Sequence, residues 1–242
     1  MTSLKKVMIV TTGPFPYGNA SANRMLSFAK GFIHNKVDSE ILCVKPNLNE
    51  KYNISPKGNY EGINYRYSAT KAIKPANFFL RRYYNLVGII GALIIIFKEN
   101  NKGTAIVIVS QPTIYMLLVL VVAKMKKIKT YIEICEHPFL SKDNGFADKL
   151  LLKTTFYFFN GFILESLPLI DSYSKYMGKN RNFITIPASQ IYEDIIEKVK
   201  RPKYNYISYC GSITSEEKDG LLVVIKGFHQ ISLIYSDVKL IL

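Results

Sequence analysis

Residues 103–123 read GTAIVIVSQPTIYMLLVLVVA and contain no charged side chain over 21 positions. This length would suffice for a membrane-spanning helix. The interior of the stretch favours another structure, because the β-branched run 105–109 is followed by the polar segment 110–113, which includes a helix-starting proline. We therefore predict a buried strand, a tight loop and a core-facing helix here, and no membrane span.

The same alternation of strand and helix patterns extends along the chain on both sides of this stretch. Strands alternating with helices of this length predict an α/β fold with a doubly wound, mainly parallel, Rossmann-like sheet that is covered on both faces. In such sheets the ligand crevice lies beyond the carboxyl ends of the strands. The predicted strands are 6–12, 40–44, 64–67, 105–109, 129–134, 162–165 and 182–186, and the predicted helices are 21–33, 78–97, 113–126, 145–159 and 168–177.

A polar segment at 187–203 predicts a linker between two domains. The first domain is expected at 1–186. Beyond the linker, residues 204–242 read as strand 206–210, loop 211–219, helix 220–233 and strand 238–242. One β-α-β unit cannot bury both faces of its sheet, so we expect this segment to be the beginning of a truncated second Rossmann-like domain.

The net charge of +14 raises the question of an anionic partner. Nucleic acid is not expected, because the lysines are spread along the chain without a zinc-finger, RRM or KH signature. Two basic clusters lie next to aromatic and apolar residues, and they read either as a solvated surface or as a contact with acidic lipid headgroups. They comprise Lys71, Lys74, Arg81 and Arg82 in one case and Lys124, Lys126, Lys127 and Lys129 in the other.

Cysteine use and the amino terminus bear on localisation. Cys43, Cys135 and Cys210 lie in or beside apolar runs without metal-like spacing, so we expect three buried thiols in a reducing compartment. No secretory signal is visible at the start of the chain. These features favour a cytoplasmic protein, and the basic clusters suggest peripheral attachment to the inner face of the membrane.

The loop after the first strand is the first candidate for ligand binding. Gly18 lets the backbone approach a ligand closely, and the free amides of the helix that follows Asn19 can hold an anion. The segment lacks the GxGxxG fingerprint, and Lys45 stands where a ribose-binding acid would be expected, which weakens a dehydrogenase interpretation. A turn without a ligand remains the alternative.

Two further loops carry candidate functional residues. Glu136 and His137 follow a predicted central strand, where a loop-borne histidine beside a carboxylate can act in catalysis or can simply cap the loop. Gly211 and Lys218 lie between a strand and a helix, where a lysine beside free helix amides suits a diphosphate. The alternative for that segment is an ordinary polar loop. Glu165, after the next strand, is a further rim position of low specificity.

The three loops in this order resemble the retaining family-4 glycosyltransferases, which have the GT-B architecture of two facing Rossmann-like domains. The most specific part is the tail, where YCGS at 209–212 and EKDG at 217–220 resemble the opening of that family's donor-binding domain. The resemblance implies that the first domain, 1–186, lies on the acceptor side of the cleft and that Gly18 and Asn19 approach the donor phosphates. It also implies that Gly211 and Lys218 bind the diphosphate, and that His137 and Glu136 lie near the transferred sugar.

Two departures from the family pattern limit what the resemblance implies. Ser212 stands where many members have an arginine, and the family's pair of glutamates separated by seven residues does not occur in the tail. The resemblance implies transfer of a sugar from a nucleotide-diphosphate sugar to a polysaccharide or lipid-linked acceptor, without metal or other cofactor. We expect this chain alone to be inactive. The alternatives are a non-catalytic, truncated GT-B-like binding protein and a GT-B-like epimerase.

Overall fold

The computed structural model describes residues 3–18, 20–49, 52, 54–100, 102–110, 113–136, 146–177, 182–187, 204–209 and 220–241. The chain divides into two compact units, Met1–Ile191 and Tyr192–Leu242. The predicted linker lies outside the described residues except for Pro187, so its limits and those of the two domains stay predictions.

The first unit alternates strands and helices along most of its length, as the sequence pattern predicts. Their bounds are β1 (Lys6–Thr11), α1 (Ala20–His34), β2 (Asp38–Cys43), β3 (Lys57–Tyr60), β4 (Ile63–Tyr67), α2 (Phe78–Lys98), β5 (Thr104–Val109), α3 (Ile114–Met125), β6 (Lys129–Ile134), α4 (Phe146–Phe158), β7 (Gly161–Leu164), α5 (Leu167–Met177) and β8 (Asn182–Thr185).

These strands form one eight-stranded sheet in the order β3-β4-β2-β1-β5-β6-β7-β8. Every neighbouring pair is parallel except β3 with β4. The chain moves from β1 outward to β2 and later returns to β5 on the other side of β1, so the order reverses at the β1–β5 pair. The α/β, doubly wound, mainly parallel sheet is confirmed.

The reversal explains how helices come to cover both faces. Right-handed crossovers that run in opposite directions along a sheet must lie on opposite faces. α1 packs its buried Ala22, Met25 and Ala29 on one face, whereas α2, α3, α4 and α5 pack on the other. The coverage is therefore unequal, with one helix on one side and four on the other in the described part of the unit.

Two glycines allow α2 to lie close to the sheet. A Cβ at Gly88 would be 2.0 Å from the carbonyl oxygen of Val44, and one at Gly91 would be 2.5 Å from that of Ser68. The Ser68 hydroxyl also donates a hydrogen bond to the Gly88 carbonyl at 2.7 Å. Close backbone packing of a helix on a sheet requires residues without side chains at such points.

The sequence-based predictions fail at three points within the described residues. β3 occupies part of a segment that was expected to be irregular, where it pairs antiparallel with β4. The spacing of Ile33 from Ala22, Met25 and Ala29 in the predicted helix 21–33 predicts burial on the same face, but Ile33 is exposed. Cys43 is buried as expected, but Cys135 is exposed because it follows the last residue of β6 and reaches the rim of the sheet. Cys210 lies outside the described residues.

The second unit contains β9 (Tyr206–Ser208), α6 (Leu221–Ser232) and β10 (Lys239–Ile241). β9 and β10 pair in parallel, as a β-α-β unit requires. Among the residues described in this unit, Leu221 alone is buried, and several large apolar side chains are exposed.

Candidate functional site

Because the strand order reverses between β1 and β5, the ligand crevice of such a sheet is expected beyond the carboxyl ends of these two strands. Hydrogen bonds join the two strand ends: the Thr11 hydroxyl donates to the Val109 carbonyl at 2.8 Å, and the Thr12 and Ser110 hydroxyl oxygens lie 2.6 Å apart. Asn47, which follows β2, donates through its side-chain amide to the Thr12 carbonyl. Loops from three neighbouring strands are thus held together where α/β sheets bind ligands.

The loop between β1 and α1 is fixed by a buried aromatic residue. Phe15 is fully buried, its amide donates to the Tyr67 hydroxyl at 3.1 Å, and that hydroxyl donates to the Phe15 carbonyl at 2.7 Å. Burial raises the pKa of Tyr67, which keeps this donor protonated. The loop backbone is therefore set before any ligand binds.

Gly18 occupies the end of this loop, directly before α1. Its backbone is exposed, and a Cβ there would lie 3.0 Å from the Pro14 side chain and 3.2 Å from Ala22 Cβ. The position therefore disfavours a side chain while leaving the backbone accessible, as the predicted phosphate approach requires. Asn19, the other predicted residue of this loop, lies outside the described residues.

A buried cluster of charges lies beneath the carboxyl ends of β6 and β7. Arg24 on α1 forms ion pairs with Glu133 at 2.6 Å (Nε to Oε1) and with Glu165 at 3.0 Å (Nη1 to Oε1). The Arg24 and Glu133 side chains are only 8% and 2% exposed. Burial raises the pKa of Glu133, although the charge of Arg24 acts in the opposite direction and that of Glu165 in the same direction.

The remaining edge of the Arg24 guanidinium is available for a polar partner. Its buried Nη2 has no hydrogen-bond acceptor among the residues that the structure describes. A buried donor without an acceptor carries a desolvation cost of about 1–3 kcal/mol, so such groups normally bind water or a ligand oxygen. The site can thus hold a hydroxyl or an anionic oxygen near the rim.

Sequence reasoning did not find Arg24. The residue lies on an otherwise apolar stripe of α1, between Ala22 and Met25, and helix periodicity gives no reason to single it out. The signal that could have found it is Glu133, because a carboxylate inside a buried strand requires a cationic partner. Pairing it with Arg24 still requires knowledge of how α1 lies on the sheet.

Glu136 and Cys135 lie directly above this cluster, after the end of β6. Glu136 is exposed at the predicted rim, and its carbonyl accepts a hydrogen bond from the Tyr173 hydroxyl of α5 at 2.9 Å. Desolvation, followed by the charge of Glu133, raises the pKa of Cys135 to about 11. The thiol is therefore protonated near neutral pH and is a poor nucleophile. His137, the other predicted catalytic residue, lies in 137–145, outside the described residues.

The predicted diphosphate-binding residues of the second unit are also outside the described part. Gly211 and Lys218 both fall within 210–219. α6 follows this segment; its N-cap Gly220 has φ 69° and provides no side-chain cap. Gly220 itself therefore offers no side chain to the first amides of α6, and the amides of Val223 and Val224 donate to its carbonyl.

The described residues contain no candidate metal centre, and they form an apolar groove on the face of the sheet. No group of three or more histidine, cysteine, aspartate or glutamate side chains in the described ranges could hold a metal ion. An apolar groove of about 790 Å³ lies on the α1 face and is lined by Leu4, Thr104, Lys129, Gly161 and Asn182, among others. These residues stand at the amino ends of the strands, and Ile163 and Ile186 extend the groove along the face of the sheet.

Comparisons with known proteins yield no match to a family model and none to a curated protein. Among solved structures, the lipopolysaccharide outer core galactosyltransferase WaaB in its apo form matches with a TM-score of 0.50 and 11% identity, over 97% of this chain and 67% of that one. The fold is of the GT-B type. The sequence-based assignment of the GT-B fold is thereby confirmed.

A second solved structure that matches this chain is that of a UDP-N-acetylglucosamine 2-epimerase. The TM-score is 0.48 and the identity is 14%, over 99% of this chain and 61% of the epimerase. The chain thus spans about three fifths to two thirds of the lengths of these two proteins. At such identities the likeness concerns the fold alone.

Proposed function

We propose that this chain belongs to a cytoplasmic glycosyltransferase that transfers a sugar from a nucleotide-diphosphate sugar to a polysaccharide or a lipid-linked acceptor. The observation that carries the proposal is the carboxyl-edge crevice, where a preset glycine-containing loop and the Arg24, Glu133 and Glu165 cluster adjoin the reversal of strand order. The GT-B fold supports it, since a galactosyltransferase shares this architecture.

The proposed roles follow from the charges that develop during transfer. Breaking the sugar–phosphate bond creates positive charge on the sugar and negative charge on the departing diphosphate. Gly18, Asn19 and Gly211 let the backbone approach the phosphates, and Lys218 stabilises the leaving diphosphate. Glu136 and His137 act on the sugar side of the crevice. We propose a retaining reaction that uses these groups without a metal ion.

The experiment uses a form of the enzyme that contains a complete donor-binding domain, assayed with labelled nucleotide sugars and glycan or lipid acceptors. Lys218→Ala should lower turnover, because the loss of a preorganised cation removes about 2–4 kcal/mol of transition-state stabilisation. Lys226→Ala is the matched control, because Lys226 is exposed on α6, outside the proposed clamp. In the same assay, Glu136→Gln should lower turnover, whereas Glu61→Gln on the remote β3–β4 turn should not.

Three results would contradict the proposal. Equal turnover of Lys218→Ala and Lys226→Ala would remove the diphosphate clamp. Conversion of the sugar donor without any acceptor would indicate an epimerase. Absence of turnover with every donor and acceptor, together with retained ligand binding, would favour a non-catalytic binding protein.

A further inference from the structure

α2 exposes a continuous apolar stripe on the side that faces away from the sheet. The stripe residues follow one another at intervals of three or four positions, so they share one face of the helix. Phe79 is 80% exposed, and the others are between about half and three fifths exposed. The stripe consists of Phe79, Tyr83, Leu86, Ile90, Ile94 and Phe97.

The neighbouring helices continue this stripe. α3 packs against α2, and α4 packs against α3. On α3 the exposed apolar residues again recur every three or four positions, and α4 adds an exposed tyrosine. We call the combined surface the apolar face; beyond the α2 stripe it contains Ile114, Leu118, Val121, Met125 and Tyr157.

The border of the apolar face is basic. Neither 71–98 nor 102–132 contains an aspartate or a glutamate. Basic groups lie over aromatic rings at this border: Arg82 is 5.0 Å from the centroid of Phe78 and Lys126 is 5.2 Å from that of Phe97. Lys124 likewise lies 5.3 Å from the ring of Tyr157.

We propose that the apolar face docks on a lipid bilayer that contains acidic headgroups, with α2 lying in the plane of the interface. Apolar and aromatic side chains that are flanked by cations suit this position, where the chains enter the acyl boundary and the cations meet anionic lipid. α2 is long and apolar enough to span a bilayer by composition, yet Gly88 and Gly91 hold its other side against the sheet. The helix therefore lies on the membrane and does not cross it.

Charge complementarity also distinguishes the bilayer from a second copy of this chain. In a two-fold dimer the same patch meets itself, so the cations around one apolar face would oppose those around the other. An acidic lipid surface instead neutralises every one of them. The described residues of the face offer no carboxylate that could pair with a cation of another copy.

Docking would also place the crevice at the membrane. α2 begins shortly after the carboxyl end of β4, so its first residues lie at the same edge of the sheet as the crevice. A lipid-linked acceptor could then reach the crevice while its chains remain in the bilayer. This last step rests on the proposed function, whereas the docking itself does not.

The experiment is flotation of the 242-residue chain with vesicles of phosphatidylcholine, with or without phosphatidylglycerol. The chain should float with the acidic vesicles, and added salt should weaken this binding because it screens the cations. Leu86→Glu with Ile90→Glu should weaken binding about tenfold or more. Ile33→Glu, an exposed apolar residue of α1 on the opposite face, is the matched control and should bind as the native chain does.

A second pair of variants tests the charges. Arg81→Glu with Arg82→Glu should lower binding to acidic vesicles and reduce its salt dependence, whereas Lys57→Glu on β3 should leave both unchanged. Circular dichroism and urea unfolding verify that each variant is folded. Equal binding of the Leu86/Ile90 variant and its control, or no flotation of the native chain, would overturn the proposal. A native dimer that the Leu86/Ile90 change dissociates, without lipid binding, would assign the face to a second copy.

Discussion

At the residue scale, Arg24 joins three elements that are distant in sequence. Its guanidinium links α1 to Glu133 of β6 and to Glu165 after β7, and it does so from a buried position. Glu133 is buried and Glu165 is partly exposed, and the cation between them favours the charged form of Glu133. The side chain therefore sets the charge state of the crevice floor as well as the packing of α1.

Replacement of Arg24 by an uncharged residue should destabilise the folded protein. Arg24→Met should lower the free energy of unfolding by about 3–5 kcal/mol, since it leaves buried Glu133 without its partner. Lys30→Met is the control: Lys30 lies on the same helix and pairs with partly exposed Glu61, so its loss should cost about 0.5 kcal/mol. Urea unfolding followed by circular dichroism measures both variants.

A second change makes the Arg24 prediction specific. Adding Glu133→Gln to Arg24→Met should recover part of the lost stability, because the amide removes the unpaired charge. Equal stability of Arg24→Met and Lys30→Met would show that the cluster contributes nothing beyond an exposed ion pair.

The residues of the crevice were only partly accessible to sequence reasoning. Gly18 ends the loop after β1, and Glu136 comes shortly after the end of β6. Both strands are evident from their apolar residues, so the sequence could place these two residues at the rim. Arg24 could not be placed in this way, since its role arises from the angle at which α1 crosses the sheet. The roles of His137, Asn19, Gly211 and Lys218 stay predictions, as these residues lie outside the described part of the chain.

At the element scale, α2 depends on its two glycines. Gly88→Ala should lower the free energy of unfolding by about 3 kcal/mol, because the added methyl would overlap the Val44 carbonyl and force the helix from the sheet. The same substitution at Gly31, on the exposed side of α1 with no atom within 4 Å of the new methyl, should raise it by about 0.5–1 kcal/mol. Thermal unfolding compares the two, and equal midpoints would contradict the close packing of α2.

Helices and strands with a strong hydrophobic period were predictable to within one or two residues, and β6 matches its prediction at both ends. β3 was missed because Lys57–Tyr60 carries no apolar alternation. An edge strand obtains its order from its partner: the turn at Glu61 and Gly62, with φ 50° and 84°, folds it back on β4. Gly62, which favours the positive φ of a tight turn, was the available signal for this hairpin.

At the scale of the whole molecule, the two units differ sharply in burial. β5 is buried along its entire length, whereas Leu221 alone is buried among the described residues of the second unit. Amide hydrogen exchange should therefore be slower in β5 than in α6 by about a thousandfold or more, because local opening follows the burial of apolar contacts. Mass spectrometry of peptic fragments measures the exchange of both elements. Equal protection of β5 and α6 would contradict the predicted difference in local stability between the two units.

From composition, the polar run at 187–203 predicts a linker between two domains, and its limits stay a prediction. The unequal helix cover of the first sheet was not predicted. Strand order decides which crossovers share a face, and the order of β1 and β5 is a long-range property that no local pattern contains.

The absence of carboxylates from 71–98 and 102–132 has a consequence for kinetics. In a chain with a net charge of +14, the apolar face therefore has basic groups and no carboxylate in the segments around it. An anionic surface attracts such a local excess of positive charge before any contact occurs, which favours approach with this face forward. Encounter rates of such systems rise steeply as ionic strength falls. The distribution of acidic and basic residues along the chain thus affects both the rate and the orientation with which the molecule meets a charged surface.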